Sequence, residues 1–236
     1  MVRKSETRLS ASTRGSTQWR RARRVSGALR CVITLLIAAS ILFQIVDLAI
    51  HNALVPSHYF SFFTIQSGVL GALIYGAGAY FALTGDADPR GYTTLRMAAL
   101  TWAALTGVVF AALLRNIPSP GYVGLQWPND VLHVAVPLLV SLEWFFSPGR
   151  AGLPWRTLWA PVSYPLVWLA VTLFRGVTTG WYPYPFLNPA SEGGYNSVIA
   201  YIVAIAVVVL TIAGLAIVIS RITPSMETPR RDPWSP

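Results

Sequence analysis

A bundle of six membrane-spanning α-helices with both termini in the cytoplasm is the fold the sequence predicts, and three observations predict it. Of 236 residues, 54% are hydrophobic and 11% charged, with a mean hydropathy of +0.52; a water-soluble chain does not expose that much apolar surface. The apolar residues fall in six runs near 26–50, 60–83, 97–114, 131–146, 157–174 and 198–219, each close to the roughly 20 residues that cross a hydrocarbon layer. The runs are unbroken, as in "CVITLLIAASILF" and "YIVAIAVVVLTIAGLAIVI", whereas the strands of a membrane barrel alternate polar with apolar residues.

Charge orients the spans. Sixteen of the 18 Lys and Arg lie in residues 1–30, in 84–96, in 147–156 or after 220, and the other two lie in 115–130 and 175–197. The positive-inside rule then puts both termini in the cytoplasm and the segments 51–59, 115–130 and 175–197 outside a cell membrane.

Residues 1–25 are rich in Arg, Ser and Thr and poor in apolar side chains, the composition of a disordered cytoplasmic tail. This tail holds most of the net charge of +9, and its position beside a span assigns that charge to anionic lipid headgroups rather than to nucleic acid. The apolar run that follows is too long for a signal peptide and lacks a small-residue cleavage site, so it is expected to remain as the first helix. Cys31 is the sole cysteine, which excludes intrachain disulfides and cysteine-based metal clusters. The second helix carries Gly68, Gly71, Ala72, Gly76 and Gly78, and the spacing Ala72-xxx-Gly76 lets a neighbouring helix approach closely. Pro161 and Pro165 bend the fifth helix toward protein packing. The loop "RGVTTGWYPYPFLNPASEGGYNS" presents Trp181, Tyr182, Tyr184 and Phe186, an aromatic belt at the headgroup level in the plainer assignment and a lid over an outward-facing site in the alternative. Residues 26–222 thus form one membrane domain, and 223–236 a second short cytoplasmic tail.

Function is sought in the polar residues of the spans. The first helix ends with Gln44 and Asp47, the second begins with Thr64, Gln66 and Ser67, and the fourth begins with His133, so all share the outer layer. Ionisable groups in a span are costly and mark functional interiors by default. A threonine hydroxyl beside an imidazole is a nucleophile with its general base. Asp130 stands three residues before His133, on the same face, where it either orients the imidazole or favours the helix start; Asp47 is the competing orienter. Pro137 cannot donate to the carbonyl of His133. Gln44 or Gln66 is placed to donate to an oxyanion.

Plainer assignments stand beside these. The Thr64 hydroxyl can bond the Phe60 carbonyl of its own helix, and Gln66 and Ser67 can serve helix contacts. A zinc site from His51, His58, His133 and Asp47 has enough donors but no ligand-spacing motif, and no cofactor is expected. A non-enzymatic lipid-binding or small-solute transport protein would use the polar layer as a pocket, although no pairing of broken helices is evident.

The segments "FSFFTIQSGVL", "NDVLHVAVPLL" and "WYPYPFLNP" resemble the bacterial Pr6Pr family of membrane proteins over about residues 26–220. That family is distantly similar to the eukaryotic androgen-induced membrane hydrolases, which cleave fatty acid esters of hydroxy fatty acids. The resemblance implies an intramembrane pair of threonine nucleophile and histidine, here Thr64 and His133. The chain differs in having Gly68 where the bacterial motif usually has asparagine, and in lacking a second histidine near His133.

The topology is open to a direct check. In a Cys31→Ser background, Ser119→Cys and Ser191→Cys are expected to react with a membrane-impermeant maleimide in intact cells, and Ser12→Cys only after lysis. Labelling of position 12 in intact cells would reverse the orientation.

Overall fold

The computed structural model describes residues 2–85, 88–89, 91–117, 122–148 and 150–222, with side-chain environments from residue 17 onward. Six helices are long and apolar enough to cross a membrane: α1 (Val2–Ile50, with its apolar span at Thr17–Ile50), α2 (Phe63–Thr84), α3 (Tyr92–Leu114), α4 (Gln126–Phe146), α5 (Trp155–Thr179) and α6 (Gly194–Ile222). Single helical turns at Pro56–Tyr59 and Pro185–Leu187 sit in the connections. Among the described residues there is no strand.

Two boundaries differ from expectation. Helix α1 runs from Val2, ahead of the span start expected near residue 26. From residue 17 the reason is visible: Arg23 donates to the carbonyls of Phe81 (2.8 Å) and Gly85 (3.2 Å) and to Asp88 (3.0 Å). The two carbonyls lie at the C-terminal end of α2, where a cation is favoured. The tail 223–236 lies outside the described residues. The second helix begins at Phe63 rather than near Phe60, since Pro56–Tyr59 forms its own turn and Phe62 is extended (ψ 131°).

The small residues of α2 face α1. Ile41 and Ile37 pack over Gly68 and Gly71, and Thr34 sits against Gly76, its hydroxyl reaching the carbonyl of Ala72 at 3.4 Å. Burial then extends through Ile33, Tyr75, Met97, Val140 and Trp144. A second apolar cluster, including Phe63, Trp102, Leu187 and Val209, joins α2, α3, α6 and the loop after α5. Pro165 removes the donor that the Pro161 carbonyl would have had, and the Trp102 indole fills the vacancy at 2.9 Å.

One end of the bundle is locked by charge. Glu143 on α4 is 1% exposed, and Arg30 (α1) and Arg96 (α3) are 1% and 0% exposed. The Glu143 carboxylate accepts from Arg30 Nε at 2.8 Å and from Arg96 Nη1 at 3.1 Å. The Ser147 hydroxyl accepts from the same two guanidiniums, and Asp88 lies 3.4 Å from Arg30. The sequence assigned no role to these residues, although three charges at the margins of apolar runs were the available signal. Removing one member strands its partners without water, a loss of about 3–5 kcal/mol for buried pairs. Glu143→Ala is therefore expected to melt well below the wild type in detergent; an unchanged transition would show that these contacts do not lock the bundle.

Candidate functional site

At the opposite end, α2 starts without a side-chain cap. The first N–H groups of a helix have no internal acceptor, and that of Phe63 donates to the Tyr184 hydroxyl at 3.1 Å. Thr64 follows in the first turn. Its expected helical partner, the Phe60 carbonyl, is taken by Gln66 Nε2 at 2.7 Å, while Gln66 Oε1 accepts from Tyr164 at 3.1 Å. Gln66 is therefore a bracket between the chain before α2 and helix α5. The Thr64 hydroxyl is left for His133, whose Nε2 lies 3.2 Å away.

His133 sits on a widened turn. In α4 the residues Val131–Ala135 are π-helical, with the Val136 N–H reaching back five residues to the Val131 carbonyl. Pro137 has no N–H to offer the His133 carbonyl, and Gly107 of α3 packs there instead. A Cβ on Gly107 would stand 3.0 Å from that carbonyl and 3.1 Å from the proline ring, so glycine lets the two helices approach this closely without either backbone giving way. Helix α3 ends in its own π turn, Phe110–Leu114, and Phe110 stacks on the imidazole (centroids 4.3 Å, interplanar angle 28°). Such turns concentrate at functional sites.

The other ring nitrogen fixes the chemistry. His133 Nδ1 lies 2.9 Å from the carbonyl of Asn129. A carbonyl only accepts, so Nδ1 carries the proton and Nε2 presents its lone pair to the Thr64 hydroxyl. Neither carboxylate expected to orient the ring does so. Asp130 is exposed and lies within α4, four residues past its start, so it neither bonds the imidazole nor caps the helix. Asp47 instead accepts from the Tyr122 hydroxyl and from the Leu125 N–H, both at 3.1 Å. It thereby pins the segment that leads into α4 onto the end of α1. Gly124 makes this possible, since a Cβ there would meet Asp47 Oδ2 at 2.8 Å.

The remaining predicted residues are dispersed. Gln44 accepts from Tyr59 at 2.9 Å. His51 bonds the Asp47 carbonyl through Nδ1 at 2.8 Å and stacks on Tyr122, and His58 stacks on Trp181 at 4.0 Å. The three histidines thus serve separate partners, and among the described residues no three His, Cys, Asp or Glu converge as a metal site.

Two cavities meet at the Thr64–His133 pair. A polar vestibule of about 710 Å³ includes Gln44, Asp47, Tyr59, Asn129 and Asn188 in its walls. An apolar cavity of about 170 Å³ between α3, α5 and α6 includes Leu105, Val109, Leu166, Ile205 and Leu210. Among the described residues, four border both: Thr64, His133, Tyr184 and Leu114.

Tyr184 is a member of the site that the sequence does not announce. The loop after α5 folds inward rather than forming a belt, leaving Tyr184 7% and Leu187 1% exposed. It is held by the Trp181 ring, which stacks on His58 and lies under the Arg175 guanidinium at 4.7 Å. Arg175 in turn donates to the Ser57 carbonyl and the Ser61 hydroxyl. Burial pushes the Tyr184 phenol above its ordinary range, with the backbone N–H groups of Thr64 and Phe63 partly offsetting it, so the group is a protonated phenol at neutral pH. The sequence signal was the Tyr-Pro pairing, which says that the loop is stiff without saying where it points.

Comparison with known protein families, curated proteins and solved structures gives no match to this chain.

The tautomer has a spectroscopic signature. With histidine-labelled protein, His133 is expected to show a protonated, pyrrole-type Nδ1 and a pyridine-type Nε2 by ¹⁵N NMR. Asn129 makes its contact through the backbone rather than the side chain, so Asn129→Ala should leave the pattern unchanged. A protonated Nε2 in the neutral ring would contradict the arrangement.

Proposed function

We propose that this protein is an intramembrane lipid ester hydrolase with Thr64 as nucleophile and His133 as general base. The observation that supports it is the 3.2 Å contact between the Thr64 hydroxyl and the basic nitrogen of His133, made where a polar vestibule adjoins an apolar cavity. An ester with a long acyl chain has the same division, and its carbonyl belongs at that boundary. The chain occupies the apolar cavity, reached sideways from the bilayer past Leu166 and Leu210, which are 59% and 49% exposed on the bundle exterior. The alcohol portion and the hydrolytic water use the vestibule.

In the reaction, Thr64 Oγ bonds to the acyl carbon while its proton passes to His133 Nε2 and the carbonyl π electrons move onto oxygen. Collapse of that oxyanion breaks the bond to the alkoxy group, which takes the proton from Nε2 and leaves as the alcohol. Water then repeats the sequence on the acyl-threonine, releasing the fatty acid and restoring Thr64. The Asn129 carbonyl holds the ring in place and stabilises the transient imidazolium through the Nδ1–H. The motif resemblance to the Pr6Pr proteins, and through them to the androgen-induced hydrolases, points to the same two side chains. By the charge distribution the site faces the outer leaflet.

A positioned base contributes about 10²–10⁴-fold. Thr64→Ala and His133→Ala are therefore expected to lose fluorophosphonate labelling while melting like the wild type, and Thr64→Ser to retain it. Labelling that survives Thr64→Ala would remove this mechanism; a folded wild type that binds lipid but is never labelled would leave a lipid-binding or transport role.

A further inference from the structure

The mechanism above leaves the negative charge on the former carbonyl oxygen without a named donor. The glutamines read from the sequence do not supply one: Gln66 donates to the Phe60 carbonyl and lines neither cavity, and Gln44 borders the vestibule but not the apolar cavity. Tyr184 borders both, beside Thr64 and His133.

Four features prepare its hydroxyl for that task. Its oxygen already accepts the Phe63 N–H at 3.1 Å, so its own O–H is directed elsewhere. The accepted bond comes from the first turn of α2, where the peptide dipoles present partial positive charge, and a hydroxyl that accepts such a bond becomes a stronger donor. The ring is clamped, stacked on Phe186 (5.2 Å, 5°) and edge-on to Phe62 (5.6 Å, 73°), with Trp168 at 5.9 Å. The residue is 7% exposed among apolar neighbours, which strengthens a hydrogen bond to developing charge.

We infer that Tyr184 is a third catalytic residue, whose phenolic O–H holds the oxyanion formed when Thr64 attacks; this rests on the hydrolase function proposed above. The proton stays on the phenol throughout. The bond shortens as the carbonyl oxygen gains charge and relaxes when the alkoxide departs, so Tyr184 stabilises the transition state more than the bound ester. The loop "WYPYPFLNP" then acts as a structural part of the active site, and the two prolines flanking Tyr184 restrict the backbone that delivers it.

The test uses the full chain in detergent micelles with p-nitrophenyl octanoate and a fluorophosphonate probe. Loss of one oxyanion donor costs about 10²–10³-fold in kcat. Tyr184→Phe is expected to show that loss with KM little changed and a parallel slowing of Thr64 labelling, whereas Tyr195→Phe, on an exposed residue, behaves like the wild type. Because Tyr184→Phe also removes the acceptor of the Phe63 N–H, a second measurement keeps the ring: incorporating 3,5-difluorotyrosine at position 184 is expected to move the alkaline limb of the kcat profile to lower pH, since the donor must be protonated. Wild-type labelling at Thr64 with Tyr184→Phe labelled equally fast, or an alkaline limb that does not move, overturns the role of Tyr184 alone. A folded wild type with no labelling at Thr64 overturns the hydrolase function and the role of Tyr184 with it.

Discussion

The hydrogen bond from His133 Nδ1 to the carbonyl of Asn129 is the constraint on which the rest of the site depends. It decides which ring nitrogen is basic, and thereby converts a nearby threonine from an ordinary helical hydroxyl into a partner for a base. Soluble hydrolases commonly give the orienting position to a carboxylate. Inside a bilayer a further charge is costly, and a backbone carbonyl already present on the preceding turn does the orienting without one. Asp47, a buried carboxylate at the same end of the bundle, works where the helices end, tying the segment 122–125 to α1. It therefore places α4, and through α4 the imidazole, without touching it.

The two ends of the bundle divide the labour. At the arginine end, Glu143 and its guanidinium partners join α1, α3 and α4 through short, shielded contacts. About 14 residues of α2 separate Thr64 from Gly78, whose carbonyl receives Arg30, a distance near ~20 Å at ~1.5 Å per residue. Regular helices connect these ends, and among the described residues the two π turns lie at the end that holds Thr64 and His133. Both π turns face each other there, one bearing His133 and the other stacking Phe110 against it. Gly107 packs against the His133 carbonyl that Pro137 leaves without its usual donor. The site is thus a local departure from ideal helix, held between regular helical segments.

Much of this architecture is legible in the amino-acid sequence. The six spans follow from hydropathy, because lipid tolerates few alternatives to a closed helix. Thr64 and His133 stand out as polar groups at one depth of an apolar chain, and the fold brings them within 3.2 Å. The features that are not legible have a common cause: they depend on backbone or on loops. Asn129 is hidden as an orienter because its carbonyl, not its side chain, makes the contact, and the neighbouring Asp130 carries the more conspicuous chemistry. Tyr184 lies in a loop without periodicity, so composition does not distinguish an inward from an outward ring. The true start of α2, three residues later than hydropathy suggests, has no capping side chain to mark it. Arg30, Arg96 and Glu143 each lie near a span end, where a charge ordinarily reaches water, and nothing in their spacing shows that they meet.

Whether His133 makes Thr64 a nucleophile is measured most directly by the fate of the acyl group. The protein is mixed with p-nitrophenyl octanoate, quenched in acid within the first turnover, and its peptides are mapped by mass spectrometry. The mechanism predicts one octanoyl group on Thr64, in the peptide containing "FFTIQS". Turnover with the acyl group on another residue, or with Thr64 never acylated, would contradict it.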